Sequence, residues 1–301
     1  FPLITYTDYL TPKTQYLVHD EDESFRLEKL KAAPARFDAS DFEVKQHFAK
    51  SADGTEVPYF VIQKKGLILD GANPTVLYGY GGFEVSMTPY YSGVIGKAWL
   101  ERGGVYVVAN IRGGGEFGPS WHQAALKHHR QRAYDDFIAV AEDLIQQRIT
   151  SPRHLGIQGG SNGGLLVGAV MVQRPELFGA VLCQVPLLDM VRYTKLLAGS
   201  LWIGEYGDPT NAADLAYLLT YSPYQNLRAD QRYPTPLFTT STKDDRVHPG
   251  HARKFAARMA EQGHSFYFYE NINGGHAGSA NLEESAHMTA LEYAYLWSRL
   301  K

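Results

Sequence analysis

From residue 75 onward the chain alternates between short apolar segments and longer helix-like ones, and this alternation restricts the possible folds most. Short apolar strands are expected where both faces of a sheet are covered. The strand-like segments lie at 75–79, 105–110, 155–158, 180–183, 236–241 and 265–269, and the helix-like segments at 134–147, 162–173, 249–262 and 283–299. Such alternation predicts an α/β fold, with a mostly parallel sheet and helices on both sides.

The first part of the chain has a different pattern. Residues 1–40 contain three short strand-like segments separated by turn or charged residues, which predicts a β-meander. Three strands alone make a poor core, so we expect them to belong to a larger unit or to pack as an arm. Residues 37–66 then read as a hairpin that turns at 51–54 and supplies an antiparallel edge to the sheet.

Composition and charge argue against several classes of function. The formal net charge of -3 gives no electrostatic case for binding nucleic acid or an anionic membrane. The one compact basic cluster, 128–132, is expected to be a solvated helix edge or loop. No apolar run is long enough to span a bilayer, and no signal peptide is recognisable. Cys183 is the only cysteine, and its apolar surroundings predict a buried hydrophobic residue.

The segment "LGIQGGSNGGLLVG" (155–168) places Ser161 between two pairs of glycines where a strand is expected to become a helix. In that context Gly-x-Ser-x-Gly is typical of a nucleophile elbow, a sharp turn that lifts the serine hydroxyl out of the sheet. Side chains at the flanking positions would collide with neighbouring strands. The alternative interpretation is a glycine-rich turn with an incidental serine.

A serine hydroxyl becomes a good nucleophile when a histidine, oriented by a carboxylate, takes its proton. In the α/β-hydrolase chain order both partners follow the serine, on loops after later strands. Among eleven histidines, His276 follows the last strand-like segment on a loop, so we predict that His276 is the base rather than a surface histidine. The acid is expected to be Asp244 or Asp245; spacing does not decide between them, and each could instead cap the next helix.

The transition state of acyl transfer carries an oxyanion that needs two hydrogen-bond donors. The backbone N–H of Asn162, just after the serine and at the start of a helix, is predicted to be one donor. The second is expected from the loop "LYGYGGFEVS" (77–86), where the Tyr80 hydroxyl is a candidate beside backbone N–H groups. Packing in the core is the alternative for Tyr80.

Assembled in order, these segments resemble the catalytic domain of the prolyl oligopeptidase family of serine peptidases. The matching segments are "LYGYGGF" (77–83), "VANIRGGGEFG" (108–118), "GGSNGGLL" (159–166), "QRPELFGAV" (173–181), "YSPYQN" (221–226), "DDRVHPGH" (244–251) and "GGHAG" (274–278). The resemblance implies an α/β-hydrolase domain with an eight-stranded sheet over residues 41–301. It also implies that residues 1–40 are an N-terminal β segment, similar to the final strands of a β-propeller.

The resemblance implies a role for each matching catalytic position. Ser161 would be the nucleophile, Asp244 the acid and His276 the base. The Tyr80 hydroxyl and the Asn162 N–H would form the oxyanion hole. No metal or cofactor is implied.

The resemblance also implies a pocket that holds a proline ring. Arg246 would bind a carbonyl of the substrate backbone through its donor fork, or alternatively pair with Asp245. The pocket would be lined by Phe83, Leu187, Trp202, Tyr206 and Val247. Aromatic side chains suit a proline ring, although these residues could equally be plain core.

Two features depart from the family pattern. The family carries a seven-bladed β-propeller that excludes large proteins, and this chain does not contain one, so we expect it to be a fragment or to have lost that domain. His248 stands where the family often has an aliphatic residue. Some relatives cut after Arg or Lys, and Glu205 lies between the pocket aromatics, although no aromatic position itself is acidic.

The sequence therefore predicts a serine peptidase that cleaves short peptides after proline. An esterase or an acyl-peptide hydrolase with the same triad is the first alternative, and a binding protein with a vestigial triad is the second. The resemblance implies a cytoplasmic location, with the periplasm as the alternative. The apolar strands of residues 1–40, if they leave free edges, predict self-association of the isolated chain.

Overall fold

The computed structural model describes residues 2–21 and 24–301. The N-terminal segment is an antiparallel three-stranded sheet in the order β1-β2-β3, with β1 at Leu3–Tyr6, β2 at Thr14–Glu21 and β3 at Ser24–Ala32. Residues 1, 22 and 23, which the predicted meander includes, lie outside the described part. The meander predicted from the sequence is confirmed over the described residues.

The central sheet has eight strands, as the family resemblance implies. They are β4 (Phe42–Lys50), β5 (Glu56–Lys64), β6 (Thr75–Tyr78), β7 (Val105–Ala109), β8 (Leu155–Gly160), β9 (Ala180–Gln184), β10 (Leu237–Ser241) and β11 (Tyr267–Asn271). Their order across the sheet is β4-β5-β7-β6-β8-β9-β10-β11. The β4–β5 hairpin forms the antiparallel edge, β5 pairs antiparallel with β7, and the remaining neighbours are parallel. The α/β-hydrolase fold is confirmed.

Helices cover both faces of this sheet. They are α1 (Gly93–Ala98), α2 (Pro119–Gln123), α3 (Gln131–Gln146), α4 (Asn162–Gln173), α5 (Ile203–Tyr206), α6 (Ala212–Tyr221), α7 (Pro223–Asn226), α8 (Gly250–Glu261) and α9 (Leu282–Leu300). Short 3₁₀ helices lie at Leu100–Arg102, Lys127–His129, Pro175–Leu177, Tyr193–Lys195 and Leu197–Trp202. The four longest helices are the four predicted from the sequence.

The core has two layers because alternate strand residues point to opposite faces. On β7, Val107 packs with side chains of α3, α4 and α8, whereas Tyr106 and Val108 pack with Trp99 and with residues of α9. Cys183 is fully buried, as predicted. The parallel strands all direct their carboxyl ends to one edge, where the loops that follow β6, β8, β10 and β11 meet.

Candidate active site

Ser161 lies at the sharp turn between β8 and α4. Its φ of 58° and ψ of −116° are unusual for a residue with a side chain. A Cβ at Gly159 would lie 2.2 Å from the carbonyl oxygen of Gly163, and one at Gly163 would lie 2.8 Å from the oxygen of Gly79. Gly160 is different, since a Cβ there would meet its nearest neighbour at 3.6 Å. Close approach therefore requires glycine at 159 and 163 but not at 160.

The three residues of the predicted triad lie together at the carboxyl edge of the sheet. His276 Nε2 is 3.1 Å from Ser161 Oγ, and His276 Nδ1 is 2.8 Å from Asp244 Oδ2. Asp244 follows β10 and His276 follows β11 on the "NINGGHAGSA" loop. The hydroxyl, imidazole and carboxylate are thus connected in the order that activates a serine.

The two adjacent aspartates have different environments. The Asp244 side chain is fully buried, and its Oδ1 accepts hydrogen bonds from the N–H groups of Arg246 and Val247, both at 2.9 Å. Its other oxygen is left for His276. Asp245 is exposed. The structure thus brings Asp244 to the histidine, a choice that spacing alone leaves open.

The two candidate oxyanion donors approach the serine from different loops. Asn162 is the first residue of α4, so its N–H belongs to the free amino end of a helix. Tyr80 follows β6, which is the neighbour of β8 in the sheet. Burial raises the pKa of the Tyr80 phenol, while Arg246, Arg130 and a hydrogen bond with Ser161 act in the opposite direction. A raised pKa keeps the hydroxyl protonated and able to donate.

A cavity of about 330 Å³ opens beside Ser161. It is lined by Tyr80, Phe83, Val85, Ser161, Leu187, Leu201, Trp202, Tyr206 and Arg246. Tyr206 meets the ring of Phe83 edge-on, at 5.7 Å between centroids. Val247 lies elsewhere: it is buried in the core, and its N–H supports Asp244. Two cavity residues, Val85 and Leu201, are absent from the sequence prediction.

The predicted solvated basic cluster is wrong for Arg130, which is 1% exposed. Its guanidinium donates to Glu205 Oε1 at 2.7 Å and to the side-chain oxygen of Asn162. Glu205 also contacts His122 at 2.7 Å and accepts the N–H of Phe83 at 3.0 Å. Glu205 is therefore already paired and does not present a free carboxylate to the cavity. No local pattern connects positions 130 and 205, which lie far apart in the sequence.

His248, the departure from the family pattern, has a local structural contact. Its Nδ1 accepts the N–H of Gly250 at 2.8 Å, at the first residue of α8. A Cβ at Gly250 would lie 2.8 Å from the same nitrogen. The imidazole thus packs closely over the start of the helix that follows the acid loop.

The helices of residues 2–21 and 24–301 include none with the length and hydropathy needed to cross a membrane.

Comparison with known proteins assigns the chain to a family. The model of the prolyl oligopeptidase family of peptidases matches residues 92–301. An uncharacterised peptidase of Sinorhizobium fredii is 56% identical over 292 residues, which are 97% of this chain and 40% of that protein. A prolyl endopeptidase of Elizabethkingia miricola is 40% identical over 284 residues, 93% of this chain and 40% of that protein.

The solved structures agree with the sequence comparisons. A post-proline cleaving enzyme from Rickettsia typhi superposes with a TM-score of 0.93 at 47% identity, over 99% of this chain and 43% of that one. The chain thus spans about two fifths of the length of the relatives that it matches. Fold, motif order and extended identity agree, and the chain belongs to the prolyl oligopeptidase family.

Proposed function

We propose that this chain is the catalytic part of a serine peptidase that hydrolyses short peptides on the carboxyl side of proline. The observation that carries the proposal is the continuous hydrogen-bonded path from Ser161 through His276 to Asp244, beside a cavity rich in aromatic side chains. A hydroxyl that faces a histidine oriented by a buried carboxylate is suited to acyl transfer.

In the proposed mechanism Ser161 Oγ attacks the carbonyl carbon of the scissile bond while His276 Nε2 takes its proton. Asp244 stabilises the imidazolium that forms. The negative charge that develops on the carbonyl oxygen is bound by the N–H of Asn162 and the hydroxyl of Tyr80. The intermediate collapses, the C–N bond breaks, and the leaving amine receives the proton from His276. Water then repeats the same steps on the acyl-enzyme and releases the acid.

The proposed preference for proline rests on the cavity and on the relatives. Trp202, Phe83 and Tyr206 offer flat apolar surfaces on which a proline ring can pack, and Arg246 lies where a peptide carbonyl could accept its donors. Glu205, the one acid among the aromatics, is paired with Arg130, which disfavours a basic substrate side chain. The names of the Elizabethkingia and Rickettsia relatives point to the same preference.

Other properties of the full-length protein stay predictions. The relatives are longer than this chain, which is consistent with a propeller domain outside it. The cytoplasmic location and the domain boundary at residue 40 rest on the family resemblance alone.

The first test compares hydrolysis of three blocked amide substrates, ending in Gly-Pro, Phe-Arg and Ala, with hydrolysis of one simple ester. We expect selective cleavage of the proline amide. Ser161→Ala is expected to lose nearly all activity, and Ser120→Ala, at an exposed serine, is the matched control. Labelling with a fluorophosphonate separates an active triad from a vestigial one.

Each result has a distinct meaning. Ester hydrolysis without amide hydrolysis would support the esterase alternative and contradict the peptidase. Cleavage after Arg would contradict the proline pocket but keep the triad. Full activity in Ser161→Ala, or no labelling of the unmodified chain, would overturn the whole mechanism.

A further inference from the structure

The two proposed oxyanion donors come from separate loops, so something must hold the loops at a fixed distance. The loop after β6 carries Tyr80, and the start of α4 carries the Asn162 N–H. The β6 loop is also strained, since Phe83 and Glu84 have φ angles of 56° and 58°. Strained backbone persists only where its surroundings hold it in place.

The side chain of Asn162 makes the connection. Its Nδ2 donates to the backbone oxygen of Tyr80 at 2.6 Å. The residue is 1% exposed, so this hydrogen bond has no competition from solvent. Gly82 allows the approach, because a Cβ there would lie 2.5 Å from Asn162 Nδ2. Asn162 therefore supplies one proposed oxyanion donor through its backbone N–H, and its side chain binds the loop that carries the other donor, Tyr80.

The orientation of this amide is fixed by two further donors. Asn162 Oδ1 accepts hydrogen bonds from the guanidinium of Arg130 and from the hydroxyl of Tyr206, the latter at 2.7 Å. A reversed amide would turn its NH₂ group toward both donors, so only one orientation satisfies all partners. Arg130 is itself held by Glu205, which also accepts the N–H of Phe83.

We propose that the Asn162 side chain, oriented by Arg130 and Tyr206, is a positioning residue that sets the separation of the two oxyanion donors and ties it to the pocket. This proposal rests on the proposed function. Its consequence is that the cavity wall at Tyr206 and the two oxyanion donors belong to one rigid hydrogen-bonded network. A positional error of about 1 Å costs roughly 100-fold in rate, so the network is expected to control kcat.

The test uses Asn162→Asp, which keeps the size of the side chain and the oxygen for Arg130 and Tyr206. It replaces the NH₂ group that donates to Tyr80 with an oxygen that cannot donate. With a proline amide substrate we expect kcat to fall about 100-fold while KM changes less than about threefold. A purely structural role would lower the unfolding midpoint and leave kcat of the folded enzyme nearly unchanged.

A double-mutant cycle with Tyr80→Phe identifies the route of the effect. Tyr80→Phe removes the hydroxyl that Asn162 is proposed to position, and we expect a loss of about 100-fold by itself. If positioning is the role, adding Asn162→Asp to this background lowers kcat further by less than about threefold. Multiplication of the two losses, to about 10⁴-fold, would overturn the proposal, as would wild-type kcat in Asn162→Asp.

A second variant covers the case in which Asn162→Asp does not fold. Arg130→Lys keeps the charge next to Glu205 but loses the donor fork that also reaches Asn162. We expect about a tenfold fall in kcat that disappears in the Tyr80→Phe background, and persistence of the fall there would contradict the proposal. An unmodified chain that hydrolyses neither amide nor ester would instead refute the proposed function, and this inference with it.

Discussion

Strands β3 and β5 are both nine residues long, yet every residue of β3 is exposed, whereas six residues of β5 are buried. β5 lies inside the eight-stranded sheet, and β3 is the edge of the three-stranded one. The exposed side chains of β3 include Phe25, Leu27 and Leu30. The comparison shows that hydrogen-bonded pairing defines a strand in both sheets, whereas burial against helices stabilises only the larger one.

The largest predicted difference concerns a phenylalanine in each sheet. Phe238 on β10 is fully buried and meets the ring of Phe255 edge-on at 5.4 Å. Phe238→Ala is expected to lower the free energy of unfolding by about 4 kcal/mol, through lost burial and a residual cavity. Phe25 is 75% exposed, and Phe25→Ala is expected to change the free energy of unfolding by less than about 0.5 kcal/mol. Urea denaturation measures both, and equal losses would contradict the comparison.

The ion pairs of the two regions should differ almost as much in their contribution to the free energy of unfolding. Arg112 joins Asp136, whose side chain is fully buried, and also Asp53. Arg112→Met leaves Asp136 without its cation and is expected to cost about 3 kcal/mol. The contact between His19 and Glu28 joins β2 to β3 at the surface and is an ion pair only when the imidazole is protonated, so Glu28→Gln is expected to cost less than about 1 kcal/mol.

Urea denaturation at neutral pH compares these two variants. A rise in salt concentration should weaken the surface pair only where its imidazole is protonated, and should leave the buried pair almost unchanged. Similar losses in both variants, or a strong salt dependence of the loss in Arg112→Met, would show that the buried pair is solvated in the native protein.

The same contrast explains what the sequence alone could predict. The elbow at Ser161 and the strand–helix alternation depend on neighbours in the chain, so the local pattern is sufficient to predict them. The network of Arg130, Glu205 and Asn162 depends on contacts between distant positions, and a cluster of basic residues gives no sign that one member is buried. The segment between β9 and β10, which carries Trp202, contains short helices without a clear hydrophobic period, so the sequence pattern does not predict where that side chain lies.

A third prediction concerns the pH dependence of stability, to which a carboxyl group in each region contributes with opposite sign. Glu292 on α9 is 4% exposed and accepts hydrogen bonds from Gln184 at 2.8 Å and Thr239 at 3.0 Å. Burial raises its pKa above the ordinary value, and these two hydrogen bonds only partly oppose the shift. The native state therefore holds this proton more tightly than the unfolded state does. Its contribution to stability is present at low pH and lost as pH rises through the raised pKa.

Asp8, in the turn between β1 and β2, has the opposite behaviour. Burial alone would raise its pKa, but hydrogen bonds from Tyr6 and from the N–H groups of Leu10 and Thr11 lower it. Its contribution is therefore present above the ordinary aspartate pKa and lost as pH falls through the lowered one.

Glu292→Gln should raise the free energy of unfolding at pH 7 by about 1 kcal/mol and flatten its decline from acid to neutral pH. Asp8→Asn should lower the free energy of unfolding by at most about 0.5 kcal/mol at pH 7, because the carboxylate is only partly buried, and should have no effect in strong acid. Denaturation curves from about pH 2 to pH 8 measure both slopes, because the Asp8 contribution is lost only below the ordinary aspartate pKa. A lower stability of Glu292→Gln at pH 7 would mean that the carboxylate is stabilised where it lies.

The last prediction concerns association of the chain with itself, and its substitutions are expected to leave the free energy of unfolding unchanged. Phe25 and Leu27 expose apolar surface on an edge strand, which is a template for pairing with another chain. We expect the apparent mass of the isolated chain in light scattering to rise with concentration, and the double variant Phe25→Lys and Leu27→Lys to remain monomeric. Leu282, 90% exposed at the start of α9, provides the control. If Leu282→Lys prevents association equally, β3 is not the surface responsible. If the unmodified chain is monomeric at every concentration, the predicted association does not occur.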